Sequence, residues 1–505
     1  MSGWCARTWI AACAILLVAC GGHAVGAPGD GDGTGNNEAS AAAVPSGDWT
    51  TFDYNAQRSG VGPADTGIVP GNVRRLRTRL VHIDGTVDSS AVELHAVKIG
   101  GHVRDAIFVT TTYGKTIAID PGTGRQLWEF TPSSYRSVAA SAQITTTTPI
   151  VDPSRAFVYA SDPAGLVHKL AVATGGETRS AHWPVKVTLL PGREKLASPF
   201  NISGNQLIVV TDGYLGDPPP YQGHVVVIDR ASGRIGHVWN ALCSDRRRLL
   251  VPSTCPASDS AIWGRNAPVI EPGTGRILFA TGNAPFNGRT DWGDSVLELA
   301  PDASRLLQNW TPRNQAQLGP SDTDLGSTSP AVLPVVRGWR LAVQGGKAGV
   351  LSLLNLNKLN GTSSGPGART GGELQNISSP GGDQVFTAPA VWSHAGGPYV
   401  FVADNSGTAA YLLRFGAGPR LVTAWQNGNP GTSPVLAGGL LYVYDPGGVL
   451  RVYGPARGSL LATLPAASGH WNSPIVVGGR VILPTGNAND HATSGELSIF
   501  HVPGR

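Results

Sequence analysis

The sequence predicts an all-β protein, an eight-bladed β-propeller of four-stranded antiparallel blades, from two observations. First, only 14% of the 505 residues are charged, against roughly 25% in typical domains, and 67 Gly and 38 Pro favour turns. Second, a degenerate unit of short apolar strands recurs eight times along the chain. One such sheet cannot bury both of its faces alone, so the units are expected to stack on their neighbours around a ring.

Each unit opens at a small residue, usually followed by proline, and continues with a short apolar strand, a turn and a second strand. Clear copies are TTPIV with AFVYASD, NAPVI with ILFATGN, and SPIVV with VILPTGN, and a third strand follows, as in HKLAV or LRVYG. The longest intervals lie between Pro199 and Pro330, so functional loops are expected there. The opening positions, 40 to 69 residues apart, are Ser90, Pro149, Pro199, Pro268, Pro330, Pro389, Pro434 and Pro474.

The last unit, from Pro474 to Val502, supplies only three clear strands. The segment DWTTFDYN, residues 48–55, is strand-like and belongs to no unit. We therefore expect this N-terminal strand to close the ring as the outer strand of the last blade, because closure leaves no open sheet edge.

The N-terminus has the pattern of an export signal. Arg7 precedes the apolar run WIAACAILLVA, which is long enough for a signal-peptide core and too short to span a membrane. The run ends in LVAC, which resembles a bacterial lipobox, where cleavage before Cys20 leaves that cysteine lipidated. Residues 1–19 are predicted to be the signal peptide, 20–47 a lipidated cysteine with a flexible tether, and 48–505 a single propeller.

The alternative for this N-terminus is a plain secretory signal with a chance cysteine. Both interpretations place the protein outside the cytoplasm, and the first anchors it to a membrane on the periplasmic or cell-surface side. Export permits disulfides. With Cys5 and Cys13 removed and Cys20 acylated, Cys243 and Cys255 are expected to pair, and two free thiols are the alternative.

Several functional classes lack support in the sequence. The formal net charge is +4 and no basic cluster extends beyond Arg246, Arg247 and Arg248, so neither nucleic acid nor a polybasic membrane contact is expected. The sequence has no G-x-S-x-G elbow, no H-E-x-x-H motif, no P-loop and no C-x-x-C-H site for covalent haem. Membrane contact is therefore expected through the lipid alone.

The stretch AIDPGTGRQLW, residues 118–128, places Trp128 at a fixed distance after a turn. Its pattern, A-x-D-x-x-T-G-x-x-x-W, resembles the tryptophan-docked blades of the pyrroloquinoline quinone (PQQ) propeller superfamily. The resemblance implies that Trp128, with Trp239, Trp310 and Trp425, wedges between adjacent blades. That superfamily contains PQQ and calcium dependent alcohol, sugar and polyvinyl alcohol dehydrogenases. It also contains cofactor-free scaffolds, including the lipoprotein of the outer-membrane β-barrel assembly machine.

The segment AIWGRNAPVIEPGTGRILFATGN resembles the dehydrogenase segment in which Trp-Gly precedes a strand pair that ends in Gly-Asn. The resemblance implies that Trp263 is the aromatic floor under the quinone and that Asn283 offers an oxygen to calcium. In SDTDLGSTSP, Asp322 and Asp324 take the places of the catalytic base and the second calcium ligand. In QGGKAG, Lys347 takes the place of the basic contact to the quinone oxygens.

Each of these residues also has a purely structural interpretation. Trp263 would be a further tryptophan wedged between blades, and Lys347 would be a solvated surface residue. The side chains of Asn283, Asp322 and Asp324 would stabilise turns. The sequence also departs from the dehydrogenases, because no two cysteines are adjacent. In addition, only Asp217, in TDGYLGDPPPYQG, could replace the glutamate that completes their calcium site. The loop between Cys243 and Cys255 nevertheless resembles the polyvinyl alcohol dehydrogenase branch in position.

On this balance the sequence favours a cofactor-free binding or scaffold protein of the cell envelope, with a protein or an envelope polymer as its partner. The alternative is a PQQ and calcium dependent oxidoreductase that acts on the CH-OH group of an alcohol or polyol.

Overall fold

A computed structural model describes residues 47–503, which form the predicted eight-bladed propeller of four-stranded antiparallel blades. The predicted signal peptide, Cys20 and most of the tether lie outside the described residues. Among residues 47–503, no helix is long and apolar enough to cross a membrane.

The blades are numbered in chain order, and their strands are given from the centre of the ring outwards. Blade 1 has Val92–Ile99, His102–Thr110, Thr116–Ile119 and Gln126–Phe130; blade 2 has Ile150–Val151, Phe157–Ser161, Leu166–Ala171 and Val185–Lys186; blade 3 has Asn201–Ser203, Gln206–Val210, His224–Asp229 and Ile235–Asn240; blade 4 has Val269–Ile270, Ile277–Ala280, Val296–Leu299 and Leu306–Trp310. Blade 5 has Ala331–Val332, Leu341–Gln344, Val350–Asn355 and Gln375–Ser378; blade 6 has Ala390–Trp392, Tyr399–Ala403, Thr408–Phe415 and Pro419–Asn427; blade 7 has Val435–Ala437, Leu440–Asp445, Val449–Gly454 and Ser459–Pro465; blade 8 has Ile475–Val477, Arg480–Pro484, Gly495–His501 and Arg77–Ile83.

The remaining elements are short. Glu194–Lys195 pairs with Asp212–Gly213 beside blade 3. The α-helical turns are Tyr135–Val138 and Gln315–Leu318, and the 3-10 turns are Val73–Arg75, Pro252–Thr254, Gly319–Ser321, Leu325–Ser327 and Ala488–Asp490.

The ring is closed by an N-terminal strand, as predicted, but not by the predicted segment. The closing strand is Arg77–Ile83, which runs antiparallel to Gly495–His501 in blade 8. Its Val81 and Ile83 are buried while Leu80 and His82 are exposed, the alternation expected of an outer strand with one covered face. Residues 48–55 were the wrong choice because their backbone turns there: Asp53 and Tyr54 have φ of 51° and 75°.

Residues 49–66 form what we call the strap, which follows the ring and hydrogen-bonds to every blade. Within it, the guanidinium of Arg58 is buried and donates to Thr51 Oγ1, to the Phe52 carbonyl and to the Phe200 carbonyl of blade 3. One chain segment therefore ties all eight blades together. The contacts, from blade 1 to blade 8, are Trp49 N to Glu93 O (2.8 Å), Val151 N to Thr50 O (2.9 Å), Asn201 Nδ2 to Ala56 O (2.8 Å), Ile270 N to Ala56 O (2.9 Å), Gln57 Nε2 to Val332 O (2.8 Å), Val391 N to Ser59 O (2.7 Å), Leu436 N to Gly60 O (2.8 Å) and Gly479 N to Thr66 O (2.6 Å).

The four tryptophans singled out in the sequence lie on the outer strands of blades 1, 3, 4 and 6, and each contacts the next blade. Trp128 Nε1 donates to Val172 O (2.8 Å), Trp310 Nε1 to Glu373 Oε2 (3.0 Å) and Trp425 Nε1 to Pro455 O (2.7 Å), while Trp239 packs edge-on against Phe279 with ring centroids 5.5 Å apart. A Cβ at Gly175 would lie 2.6 Å from the indole of Trp128, so only glycine allows that ring to approach the turn of blade 2.

The hydrophobic core lies between blades rather than within them. One buried cluster, for example, joins Ile208 and Val210 of blade 3 to Ile277 and Phe279 of blade 4. Each sheet therefore depends on its neighbours for the burial of its faces, and the blade that the N-terminal strand completes depends on that strand.

We predict that Val81→Asp lowers the free energy of unfolding by about 3 kcal/mol or more, because it buries an unpaired charge in the closing strand. The adjacent Leu80 is 53% exposed and provides a matched control. Leu80→Asp should change stability by no more than about 0.5 kcal/mol. Urea unfolding of both variants tests the prediction, and equal midpoints for the two would show that Arg77–Ile83 does not close the ring.

Candidate functional site

A cavity of about 540 Å³ opens among the loops of blades 3, 4 and 5. It falls within the stretch between Pro199 and Pro330, where the sequence predicted functional loops. Four carboxylates face this cavity, so its wall is acidic. The lining residues are Asp217, Tyr221, Asp259, Asn283, Ala284, Pro285, Phe286, Gln315, Ala316, Gly319, Pro320, Asp322 and Asp324.

Two close-packed glycines bring Asn283 and Asp324 together. The backbone N-H of Asn283 donates to Asp324 Oδ1 at 2.8 Å. A Cβ at Gly282 would lie 2.5 Å from Asp324 Oδ1, and a Cβ at Gly326 would lie 2.5 Å from the nitrogen of Gly282. Glycine at both positions therefore permits the loop of blade 4 to meet the loop that leads into blade 5.

Asn283 and Asp324 offer oxygen atoms suited to a hard cation. Asn283 Oδ1 is buried, and no group within residues 47–503 donates a hydrogen bond to it. The side chain of Asp324 is 13% exposed, whereas that of Asp322 is 72% exposed. Calcium prefers carboxylate and amide oxygens, so Asn283 and Asp324 fit as ligands, and Asp322 is the carboxylate that solvent can reach.

Lys347 neutralises both aspartates. Its Nζ lies 2.9 Å from Asp322 Oδ1 and 2.5 Å from Asp324 Oδ2. Burial acts to lower the pKa of Lys347, but the carboxylates of Asp324 and Asp322 outweigh it and raise that pKa. Burial raises the pKa of Asp324, with Lys347 opposing the shift. The same Nζ lies 5.3 Å from the ring centroid of Trp263, within cation-π distance.

The other carboxylates of the cavity do not converge on one point. Within the part of the chain that the structure describes, no three or more His, Cys, Asp or Glu side chains are grouped as metal ligands. Asp217 accepts a hydrogen bond from the Tyr221 hydroxyl (2.8 Å). Burial raises the pKa of Asp259, and the negative charges of Asp217 and Asp324 add to that shift. Asp217, the sequence-predicted substitute, thus shares the cavity with Asn283 and Asp324.

Trp263 belongs to an aromatic cluster whose other members, Phe386 and Trp471, were not predicted from the sequence. Its ring centroid lies 6.0 Å from that of Phe386 and 5.6 Å from that of Trp471, and those two rings stack at 4.9 Å. All three side chains are half-buried and so keep accessible surface. Phe386 and Trp471 each stand three positions before an opening proline, Pro389 or Pro474, and this spacing is a signal that the sequence carried.

A buried ion pair fixes the segment that carries Trp263. Two residues further on, Arg265 Nη2 lies 3.0 Å from Asp88 Oδ1 at the start of blade 1. His470 Nδ1 lies 2.8 Å from the second oxygen of Asp88. Burial acts to raise the pKa of Asp88, but Arg265 and His470 outweigh it and lower the pKa to about 2. The carboxylate therefore stays charged and anchors Arg265 across the ring.

The predicted disulfide between Cys243 and Cys255 is present. The buried amide of Gln222 joins the two ends of its loop, donating to Cys255 Sγ (3.4 Å) and accepting from Leu242 N (3.0 Å). Beyond the loop, Ser260 N donates to the carbonyl of Asn283 (2.8 Å). The segment that follows the disulfide loop therefore contacts the backbone of Asn283.

Comparisons with known proteins point to two kinds of relative. A family model for the outer membrane protein assembly factor BamB matches residues 87–249. A polyvinylalcohol dehydrogenase from Pseudomonas sp is 23% identical over 219 residues, which cover 40% of this chain and 32% of that protein. The matched stretch thus spans about a third of that relative's length.

Two solved structures with a similar fold are named as dehydrogenases. The quinohemoprotein alcohol dehydrogenase of Comamonas testosteroni has a TM-score of 0.64 at 15% identity, with 91% of this chain and 81% of that chain covered. A europium-containing methanol dehydrogenase also has a TM-score of 0.64 at 15% identity, with coverage of 90% and 98%. The chain is therefore an eight-bladed β-propeller whose sequence is similar, over part of its length, to the assembly-factor family model and to a polyvinylalcohol dehydrogenase.

Proposed function

We propose that this protein is a PQQ and calcium dependent oxidoreductase that oxidises the CH-OH group of an alcohol or polyol. One observation carries the proposal: Asn283 and Asp324 meet at a cavity, and Asn283 Oδ1 is buried there with no donor among the described residues. A buried amide oxygen without a partner is costly, and a cation would satisfy it.

The side chains divide the chemical roles by their exposure. Asn283 and Asp324 would hold calcium, and Trp263, Phe386 and Trp471 would supply apolar surface for a planar ring. A bound quinone would supply an acceptor for hydride, and a bound calcium ion would supply Lewis-acid polarisation. The exposed carboxylate of Asp322 would take the hydroxyl proton at an oxygen atom. Lys347, which contacts both aspartates, would hold Asp322 in position beside Asp324.

A second candidate is the cofactor-free binding or scaffold protein that the sequence favoured. The observation that supports it is the ammonium of Lys347, which already neutralises Asp322 and Asp324. The family model described as an assembly factor adds support over residues 87–249. In that case the long loops between Pro199 and Pro330 would form the contact surface for a protein or an envelope polymer.

The oxidoreductase proposal predicts that the soluble protein takes up PQQ only when calcium is present. Binding should quench indole fluorescence, because a quinone stacked on an indole accepts its excitation. Asn283→Ala should weaken uptake about tenfold, which corresponds to ~1.4 kcal/mol, by removing a metal ligand. Trp263→Ala should cost on the order of 1 kcal/mol of stacking.

Trp392→Ala, which removes a half-buried indole from blade 6, is the control and should bind as the wild type does. If the wild type takes up no PQQ at millimolar calcium, the oxidoreductase proposal is wrong and the scaffold proposal gains support. Dye reduction with simple alcohols and polyols then tests the role of Asp322, since Asp322→Asn should bind PQQ and lose turnover.

We also propose that Cys20 carries lipid and holds the protein at the outer side of a membrane. This rests on the LVAC sequence after the apolar run. Cys20→Ser should move the protein from the detergent phase to the aqueous phase in a phase-partition experiment. An unchanged distribution would instead indicate an ordinary cleaved signal.

A further inference from the structure

We propose that Asp294 is a positioning residue that sets the separation of Asn283 and Asp324, and through it the affinity of the site for a divalent cation. The consequence for metal binding rests on the proposed function. The positioning itself rests on contacts within this chain and can be tested without any ligand.

Asp294 bonds to the chain neighbours of both proposed ligands. Its backbone N-H donates to the carbonyl of Gly282 at 2.9 Å, directly before Asn283. Its side-chain Oδ1 accepts from the N-H of Leu325 at 3.1 Å, directly after Asp324. One residue thus joins the loop of blade 4 to the loop that leads into blade 5, where the two ligands meet.

The local backbone is shaped for this contact. Asp294 has φ of 46°, a left-handed conformation that Asp, Asn and Gly adopt more readily than other residues. A Cβ at the preceding Gly293 would lie 2.1 Å from the carbonyl of Ala284, so this turn packs directly on the residue after Asn283. The turn that contains Asp294 therefore packs against the residue that follows Asn283. The carboxyl of Asp294 bonds to the residue that follows Asp324.

The burial of Asp294 is costly for the fold. The side chain is fully buried, and its Oδ2 accepts no hydrogen bond from any residue within 47–503. A buried polar atom without a partner is unfavourable. The carboxyl of Asp294 offsets part of this cost by accepting the hydrogen bond from Leu325 N. Loss of that hydrogen bond would allow Asp324 to move away from Asn283. A cation bound by oxygens of both Asn283 and Asp324 would then lose one of its ligands.

Two substitutions of Asp294 distinguish the effect of its hydrogen bond to Leu325 from the effect of its left-handed backbone conformation. Asp294→Gly keeps the left-handed conformation and removes the acceptor, whereas Asp294→Asn keeps both the conformation and an acceptor oxygen. Asp404→Ala is the control, because Asp404 is a buried aspartate of blade 6 that also accepts from backbone N-H groups and contacts neither Asn283 nor Asp324. Its donors are the N-H groups of Gly381, Asp383, Ser406 and Gly407.

The first measurement is amide hydrogen exchange of the full-length protein without ligand, followed over residues 281–286 and 322–328. Asp294→Gly should accelerate exchange at least tenfold in both segments, while Asp294→Asn and Asp404→Ala should match the wild type there. Unchanged exchange in Asp294→Gly, or equal acceleration in Asp294→Asn, would overturn the positioning role whether or not the protein binds metal.

The second measurement is calorimetric titration with calcium chloride alone. Asp294→Gly should bind calcium at least tenfold more weakly than the wild type, Asp294→Asn should stay within about threefold, and Asp404→Ala should be unchanged. Wild-type affinity in Asp294→Gly would overturn the link to the cation. A wild type that binds no calcium would refute both that link and the proposed function, and the exchange result would still decide the positioning role.

Discussion

The structure depends on closure of the ring. No blade buries its own faces, so each of the eight sheets is stable only between two neighbours, and the last gap is filled by pairing Arg77–Ile83 with Gly495–His501. The strap reinforces this closure, since residues 49–66 hydrogen-bond to all eight blades. The N-terminal part of the chain therefore both completes the last sheet and ties the others together.

A rigid ring lets loops from different blades meet in fixed geometry. Asn283 comes from blade 4, Asp324 and Lys347 from the loops of blade 5, and Trp471 from the segment that enters blade 8. Buried links between distant segments, such as Arg265 to Asp88, hold these loops in register with one another. The candidate site thus needs little secondary structure of its own, because the blades behind it supply the rigidity.

Much of this was visible in the sequence because it follows from local pattern. The opening prolines and apolar runs predicted the blades, and the resemblance named Trp263, Asn283, Asp322, Asp324 and Lys347, which the structure brings to one region. The closing strand was misplaced because residues 48–55 look strand-like, whereas their buried side chains serve the strap. The role of Asp294 was not predictable, because it depends on Gly282 and Leu325 approaching across two loops.

The central claim is that Asn283 and Asp324 form a cation site beside an aromatic surface. A crystal structure of the protein grown with calcium and PQQ tests it most directly. We expect calcium with Asn283 Oδ1 and an Asp324 oxygen at about 2.3 to 2.6 Å, and the ammonium of Lys347 displaced from Asp324. Electron density without calcium, with Lys347 still bonded to both aspartates under those conditions, would contradict the account.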